Sequence, residues 1–244
     1  MIYVFKKEAS AYFATPFGFV FLGIFLLLSG ISFTTYNLVG GGGDLAGMFS
    51  LLSNMSFMVF PVLTMKLFAE ERRAGTEQLL LTSRLSIWEI VLGKYLAAAF
   101  VLLVALAITG VYVGIITAYG FPNLGGIAAS YLGYFLLGIA MIAVCTFASS
   151  LADNQVTAAI ASFGLLFVLV MLASFSRSLQ LPAITEILSA LAITTRYDEF
   201  TRGIFRAGPV CYYLIYAAVM LFLTVKNLER RRSGETAALQ VLNG

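Results

Sequence analysis

The sequence is poor in charged residues, which make up 11% of its 244 residues, whereas hydrophobic residues make up 60%. A soluble domain carries about 25% charged residues, so this chain has too few to cover a water-facing surface. The composition excludes a soluble globular protein, a disordered chain and a nucleic-acid-binding protein. It indicates a single domain that crosses a membrane several times.

The sequence also lacks histidine, and its two cysteines, Cys145 and Cys211, both lie in apolar runs. The commonest general base and metal ligand is therefore missing, and two such cysteines form neither a disulfide framework nor a metal cluster. No phosphate-binding loop surrounds Gly93 and Lys94. We expect no catalytic, cofactor-binding or metal site in this chain, so any energy source lies outside it.

Long uncharged runs separate the charged residues, at 9–43, 45–65 and 95–152. About 20 helical residues cross the ~30 Å bilayer core, so the longest run crosses at least twice. The pattern predicts an all-α polytopic membrane protein with six spans, at about 16–36, 45–68, 91–119, 124–151, 156–175 and 209–225. We assign residues 1–232 to one transmembrane domain and residues 233–244 to a short tail.

The basic residues predict the orientation of the chain. An even number of spans puts both termini on one side, and that side receives 11 of the 15 basic residues. The positive-inside rule therefore places both termini, and the tail, in the cytoplasm. No ionisable residue lies deep in a predicted span, which argues against a proton- or sodium-coupled carrier.

Three segments outside the spans have features of their own. Residues 1–14 carry apolar side chains on one helical face, which favours a short helix along the membrane surface; an ordinary basic flank is the alternative. Residues 176–208 form a long external loop. We expect it to be ordered, with an amphipathic helix beginning near Pro182 and a second short helix near Arg196 to Arg202 that ends at Gly203.

The third segment, residues 66–94, is the longest cytoplasmic loop. A helix from Leu45 to about Ala74 is longer than the hydrocarbon core, so its charged end projects into the cytoplasm. Gly75 can end that helix in the left-handed conformation, and Thr76 can cap the next one, with Glu77 in its first turn. The leucines that follow, Leu79, Leu80 and Leu81, are too apolar for a free loop and need a protein partner to bury them.

The residues from Phe68 to Ser83, with Ser86 to Lys94 after them, resemble the signature of type-2 ABC transporter permeases. The most similar branch contains the gliding-motility and nitrous-oxide-reductase-maturation permeases. One departure is that Arg84 and Leu85 stand where relatives commonly have proline and valine. Residues 5–13 are similar to the interfacial connecting helix of that branch, and residues 196–203 are similar to its external segment.

The resemblance implies a function and a set of functional residues. A coupling helix over about residues 76–82 would dock on a separate ATPase subunit, and two permease chains, identical or homologous, would pair with two ATPases. ATP and magnesium would bind to the ATPase, and this chain would bind no cofactor. The implied coupling residues are Glu70, Glu71, Arg72, Arg73, Gly75, Thr76, Glu77, Leu79, Leu80 and Leu81. The interfacial helix contributes Phe5, Lys6, Lys7, Glu8 and Tyr12, and the external segment contributes Arg196, Asp198, Glu199, Phe200, Arg202 and Gly203.

We therefore interpret the chain as the permease subunit of an ABC exporter-type complex in a bacterial cytoplasmic membrane, without enzyme activity of its own. One alternative is a mechanotransmitting module that uses an ATPase to move an extracytoplasmic accessory subunit and transports nothing. Another alternative is a channel or ion-coupled carrier, which works without ATP or a partner.

Overall fold

A computed structural model describes residues 1–41, 43–73, 75, 86–119, 123–178, 192–201 and 207–242 of the chain. Across these ranges the chain is helical and contains no strand. The described helices are α1 (Ile2–Ala14), α2 (Pro16–Phe33), α3 (Ala46–Thr64), α4 (Ala69–Arg73), α5 (Ile87–Tyr119), α6 (Leu124–Leu151), α7 (Gln155–Ser178), α8 (Tyr197–Thr201) and α9 (Ala207–Leu242). A π-helical segment, Thr34–Val39, continues α2.

Within these ranges, six helical segments are long and apolar enough to cross a bilayer. They are Pro16–Val39, Ala46–Arg73, Ile87–Tyr119, Leu124–Leu151, Gln155–Leu172 and Ala207–Arg232. The predicted fold class and the predicted number of spans are therefore confirmed. The fourth span has the predicted bounds, and α5 begins four residues before the predicted start of the third, at Ile87 rather than Val91.

Helix α6 is the centre of the bundle. In its most apolar window 72% of the residues are buried, against 28 to 50% in the other five spans. It packs against α3, α5, α7, α8 and α9. Gly138 permits one of these close contacts, because a Cβ atom there would lie 2.3 Å from Leu102 of α5. Small side chains on α6 thus let several helices approach it at once.

The sequence predicted one continuous helix for the second span. The structure instead has a break at residues 65–68, between α3 and α4. Pro61 near the end of α3 removes one backbone donor from the helix. The chain then makes a tight turn, in which the Leu67 amide donates to the Thr64 carbonyl at 3.0 Å. The Phe68 amide, which the break frees, donates to the Ser149 hydroxyl of α6 at 3.3 Å.

The N-terminal segment is helical, as predicted, and its chain turns at Thr15, which has extended backbone angles. Within this helix Ile2 is 64% exposed, whereas Val4 is buried. The helix α1 packs against α5 and α2. A second predicted helix, in the external loop, is confirmed as α8, whereas the helix predicted near Pro182 lies outside the described residues.

Candidate functional site: the basic end of the bundle

Five parts of the chain meet at the end of the bundle that carries both termini. They are α1, residues 65–73 with α4, the first turns of α5, the turn at residues 152–154, and the part of α9 around residues 226–232. We call this the basic end. It contains the start of the segment for which the sequence predicted coupling to a partner.

Lys94 of α5 is the central residue of the basic end. Its side chain is 2% exposed, and its Nζ lies 2.8 Å from Glu71 Oε1 of α4 and 3.1 Å from Glu8 Oε1 of α1. The two carboxylates are 16% and 17% exposed, so the three charges are largely shielded from water. Hydrogen bonds between charged groups are about twice as strong as neutral ones. One buried ammonium therefore joins α1, α4 and α5.

Close packing holds α1 against this cluster. Gly93, next to Lys94, faces Val4 of α1, and a Cβ atom at Gly93 would lie 2.8 Å from the Val4 side chain. Tyr12 donates a hydrogen bond from its hydroxyl to the Leu63 carbonyl of α3 at 2.8 Å. Burial raises the pKa of the Tyr12 hydroxyl, so it stays protonated and remains a donor. The helix α1 is thus fixed to both α3 and α5.

Arg72 of α4 binds the end of α6 and the turn that follows it. Its guanidinium donates to the carbonyls of Ser150, at 3.1 Å, and Ala152, and it pairs with Asp153 at 3.2 Å. The last carbonyls of a helix have no partner within it and carry the negative end of the helix dipole. Arg72 satisfies these groups at the end of α6. It therefore joins α4 to the central helix and to the turn that follows it.

Helix α9 completes the same contact from its own side. The Asn227 side-chain amide donates to the Ser150 carbonyl at 3.0 Å, and Arg231 donates to the Leu151 carbonyl at 3.4 Å. The end of α6 is therefore bound by α4 and α9 together.

The predicted polar stalk, residues 70–73, divides into two pairs. Glu71 and Arg72 turn inward, whereas Glu70 and Arg73 are exposed; Glu70 forms a 3.3 Å ion pair with Lys66 one turn before it. The sequence predicted only that this charged end projects beyond the membrane. Glu71 and Arg72 turn inward because the Lys94 ammonium needs an anionic partner and the α6 carbonyls need a hydrogen-bond donor. The spacing of residues in the sequence did not reveal these contacts.

Gly75 has a φ angle of +68°, which confirms the predicted left-handed residue after α4. The remaining predicted coupling residues, Thr76, Glu77, Leu79, Leu80 and Leu81, lie outside the described residues. Of the predicted interfacial residues, Glu8 and Tyr12 belong to the basic end, Phe5 packs on Phe100 of α5, and Lys6 and Lys7 are exposed.

The external segment lies at the other end of the bundle. Phe200 of α8 is buried against α6, where a Cβ atom on Gly133 would approach its ring to 2.6 Å. Tyr213 of α9 donates to the Ile193 carbonyl at 2.9 Å and so holds the chain before α8. Arg196 is exposed and pairs with Glu199 at 3.7 Å. Arg202, Gly203 and the side chain of Asp198 lie outside the described part of this segment.

Sequence reasoning assigned Lys94 to the end of the cytoplasmic loop 66–94 and missed its role in the cluster. One signal was present: the residues three, four and seven positions from Lys94 on its own helical face are all apolar, at 87, 90, 91, 97, 98 and 101. A cation inside a buried apolar stripe needs an anion nearby. Glu8 and Glu71, each next to an apolar segment, were available as its partners.

Comparison with known proteins agrees with this architecture. Residues 56–231 match the model of a family described as "ABC-2 family transporter protein". The match begins inside α3 and includes α4, Lys94, α6, α8 and most of α9. No curated protein matches the chain. The chain belongs to the ABC-2 transporter family and is a multi-pass membrane permease component of an ABC transporter.

Proposed function

We propose that this permease is driven by a separate ATPase subunit that binds the segment immediately after α4, in an exporter-type complex. One observation carries the proposal: α4, which leads directly to residues 76–82, is held to α5 and α1 through Glu71 and to α6 and its turn through Arg72. A helix of five residues with ionic contacts on both sides suits a part that transmits force.

The proposed mechanism follows from the positions of these contacts. Closure of two ATPases around ATP displaces the coupling segment, and α4 moves with it. The Lys94 cluster transmits the displacement to α5 and α1, while Arg72 transmits it to α6, α7 and α9. The spans then rotate relative to one another as packed bodies, because close-packed interiors shift between discrete arrangements rather than deform continuously.

The complex that we propose has two permease chains, identical or homologous, and two ATPases that bind ATP and magnesium. It lies in a bacterial cytoplasmic membrane with both termini of this chain in the cytoplasm, since the basic end then follows the positive-inside rule. The permease itself hydrolyses no ATP. Within the family, we place the chain in the branch of gliding-motility and nitrous-oxide-reductase-maturation permeases.

A second function is favoured by the external segment. Phe200 and Tyr213 fix the chain around α8 to α6 and α9. The opposite ends of the same two helices bind each other at the basic end, where Arg72 also binds α6. Movement started by an ATPase would therefore reach the external surface and could act on an extracytoplasmic subunit without transport. Binding of a purified external subunit to the permease would favour this function. Stimulation of the ATPase by a transported substrate would favour export.

The test is co-purification of the tagged permease with the ATPase encoded beside it. We expect the ATPase to bind the wild type and to be lost from Leu80→Asp, which places a charge on the proposed docking face. Tyr119→Asp is the matched control, because Tyr119 is 90% exposed at the opposite end of the bundle. Failure of the ATPase to bind the wild type would contradict the proposal and favour a self-sufficient channel or carrier. Equal binding to Leu80→Asp would contradict docking on residues 76–82 and show that the ATPase binds elsewhere on the permease.

A further inference from the structure

An apolar groove lies between α1, α5 and α6 beside the basic end, on the outer surface of the bundle. Its volume is about 380 Å³, within the range of ligand-binding sites. Its walls contain almost no polar surface. The main contributors are Ile2, Phe5, Leu96, Phe100, Leu103 and Phe135.

The groove runs from the membrane surface into the hydrocarbon region. Leu96, Phe100 and Leu103 follow one face of α5 over about 10 Å at a helical rise of 1.5 Å per residue. These three side chains are 38%, 40% and 49% exposed, so they face the surrounding bilayer. Phe5 of α1 meets Phe100 edge-on at 5.9 Å and forms part of the groove wall. Such a shape accepts a single acyl chain lying along α5.

A positive charge marks the mouth of this groove. Lys6 follows Ile2, a lining residue, by one helical turn, so the two share a face of α1. Lys6 is exposed and has no ion pair among the residues that the structure describes. Lys7 is also exposed but lies about 100° away around α1. It shares a helical face with Tyr3, which does not line the groove.

We propose that this groove binds an anionic phospholipid of the surrounding bilayer, with an acyl chain against Phe100 and the phosphate at Lys6. A basic residue near the membrane surface attracts anionic lipid headgroups. A second copy of the chain fits less well. Two copies related by an axis along the membrane normal would hold both Lys6 ammonium groups at the same depth and close together.

The test uses a single tryptophan in the groove, since the chain contains only Trp88. Trp88→Phe/Phe100→Trp is reconstituted in phosphatidylcholine nanodiscs with a fixed fraction of acyl-brominated phosphatidylglycerol or acyl-brominated phosphatidylcholine. We expect the anionic lipid to be enriched about fivefold at the site and to quench more strongly. Lys6→Gln should remove this preference, and Lys7→Gln, the matched control, should keep it.

Two further variants complete the design. Trp88→Phe/Val111→Trp reports a lipid-facing position elsewhere on α5, 65% exposed, and should show no preference. Leu103→Trp replaces Phe100→Trp if the latter fails to fold. Three results would overturn the proposal. They are equal quenching by both lipids, an equal loss of the preference for the anionic lipid in Lys6→Gln and Lys7→Gln, and no quenching by either lipid. The last result would mean that a polypeptide covers the groove. None of these measurements involves an ATPase, so they are independent of the proposed coupling.

Discussion

Replacing Lys94 by methionine tests the buried ion cluster most severely. Methionine keeps the length of the side chain but leaves Glu8 and Glu71 without the ammonium that lies 3.1 and 2.8 Å from them. Removal of one partner from a buried ion pair costs about 3–5 kcal/mol. The two carboxylates retain 16–17% exposure and can regain some water, so we expect the lower end, about 3 kcal/mol of unfolding free energy.

The neighbouring glutamates provide matched controls. Glu71→Gln should cost about 1.5–3 kcal/mol, because it removes a charged hydrogen bond from a shielded site. Glu70→Gln should cost less than about 1 kcal/mol, because its pair with Lys66 is half exposed. The double variant Lys94→Met/Glu71→Gln should cost less than the sum of its single variants, since the two side chains interact directly.

The assay is equilibrium unfolding in mixed detergent micelles, followed by the fluorescence of Trp88, which packs on Phe222 at 6.3 Å between ring centroids. Equal stability of Lys94→Met and the wild type would refute the cluster. Equal effects of Glu71→Gln and Glu70→Gln, or strict additivity in the double variant, would also refute it.

Two further predictions use the same assay. Gly93→Ala should destabilise the protein by about 1–3 kcal/mol, because the new Cβ atom meets Val4 at 2.8 Å. Gly164→Ala, which has open space around it, should have little effect, and equal effects of the two variants would contradict the close contact of α1 with α5. Arg72→Gln should lower the free energy of unfolding by about 1–3 kcal/mol, because it leaves carbonyls at the end of α6 without their donor. Arg73→Gln, which changes an exposed side chain, should lower it by less than about 0.5 kcal/mol. The reverse order would show that α4 is held by other contacts.

The spans were predictable because the bilayer imposes a length on every crossing, and charged residues cannot lie between its faces without cost. The bounds of α6 followed directly from Pro122 and Asn123 before it and from Asp153 after it. The turn at Thr15 and the left-handed Gly75 were predictable for a related reason, since proline and glycine restrict the backbone locally.

The ionic contacts were not predictable in the same way, because they join residues far apart in the chain. Lys94 and Glu8 are separated by 86 positions, and Arg72 and Ser150 by 78. Helix α5 is apolar around its whole circumference, so periodicity did not distinguish its buried face from its lipid-facing one. The break after α3 was missed because the fold supplies Ser149 as a partner for the freed amide, which makes the turn stable inside the bundle.

The central claim is that movement of α4 reaches the spans through Glu71 and Arg72. Spin labels at Tyr119→Cys and Leu214→Cys, with the native cysteines replaced, report the separation of α5 and α9 away from the basic end. The labelled permease is diluted with unlabelled chains, assembled with the ATPase and trapped with ATP and vanadate. We predict that trapping shifts the distance in the parent and in Glu70→Gln/Arg73→Gln but not in Glu71→Gln/Arg72→Gln, although the ATPase still binds all three. The same shift in Glu71→Gln/Arg72→Gln would contradict the claim.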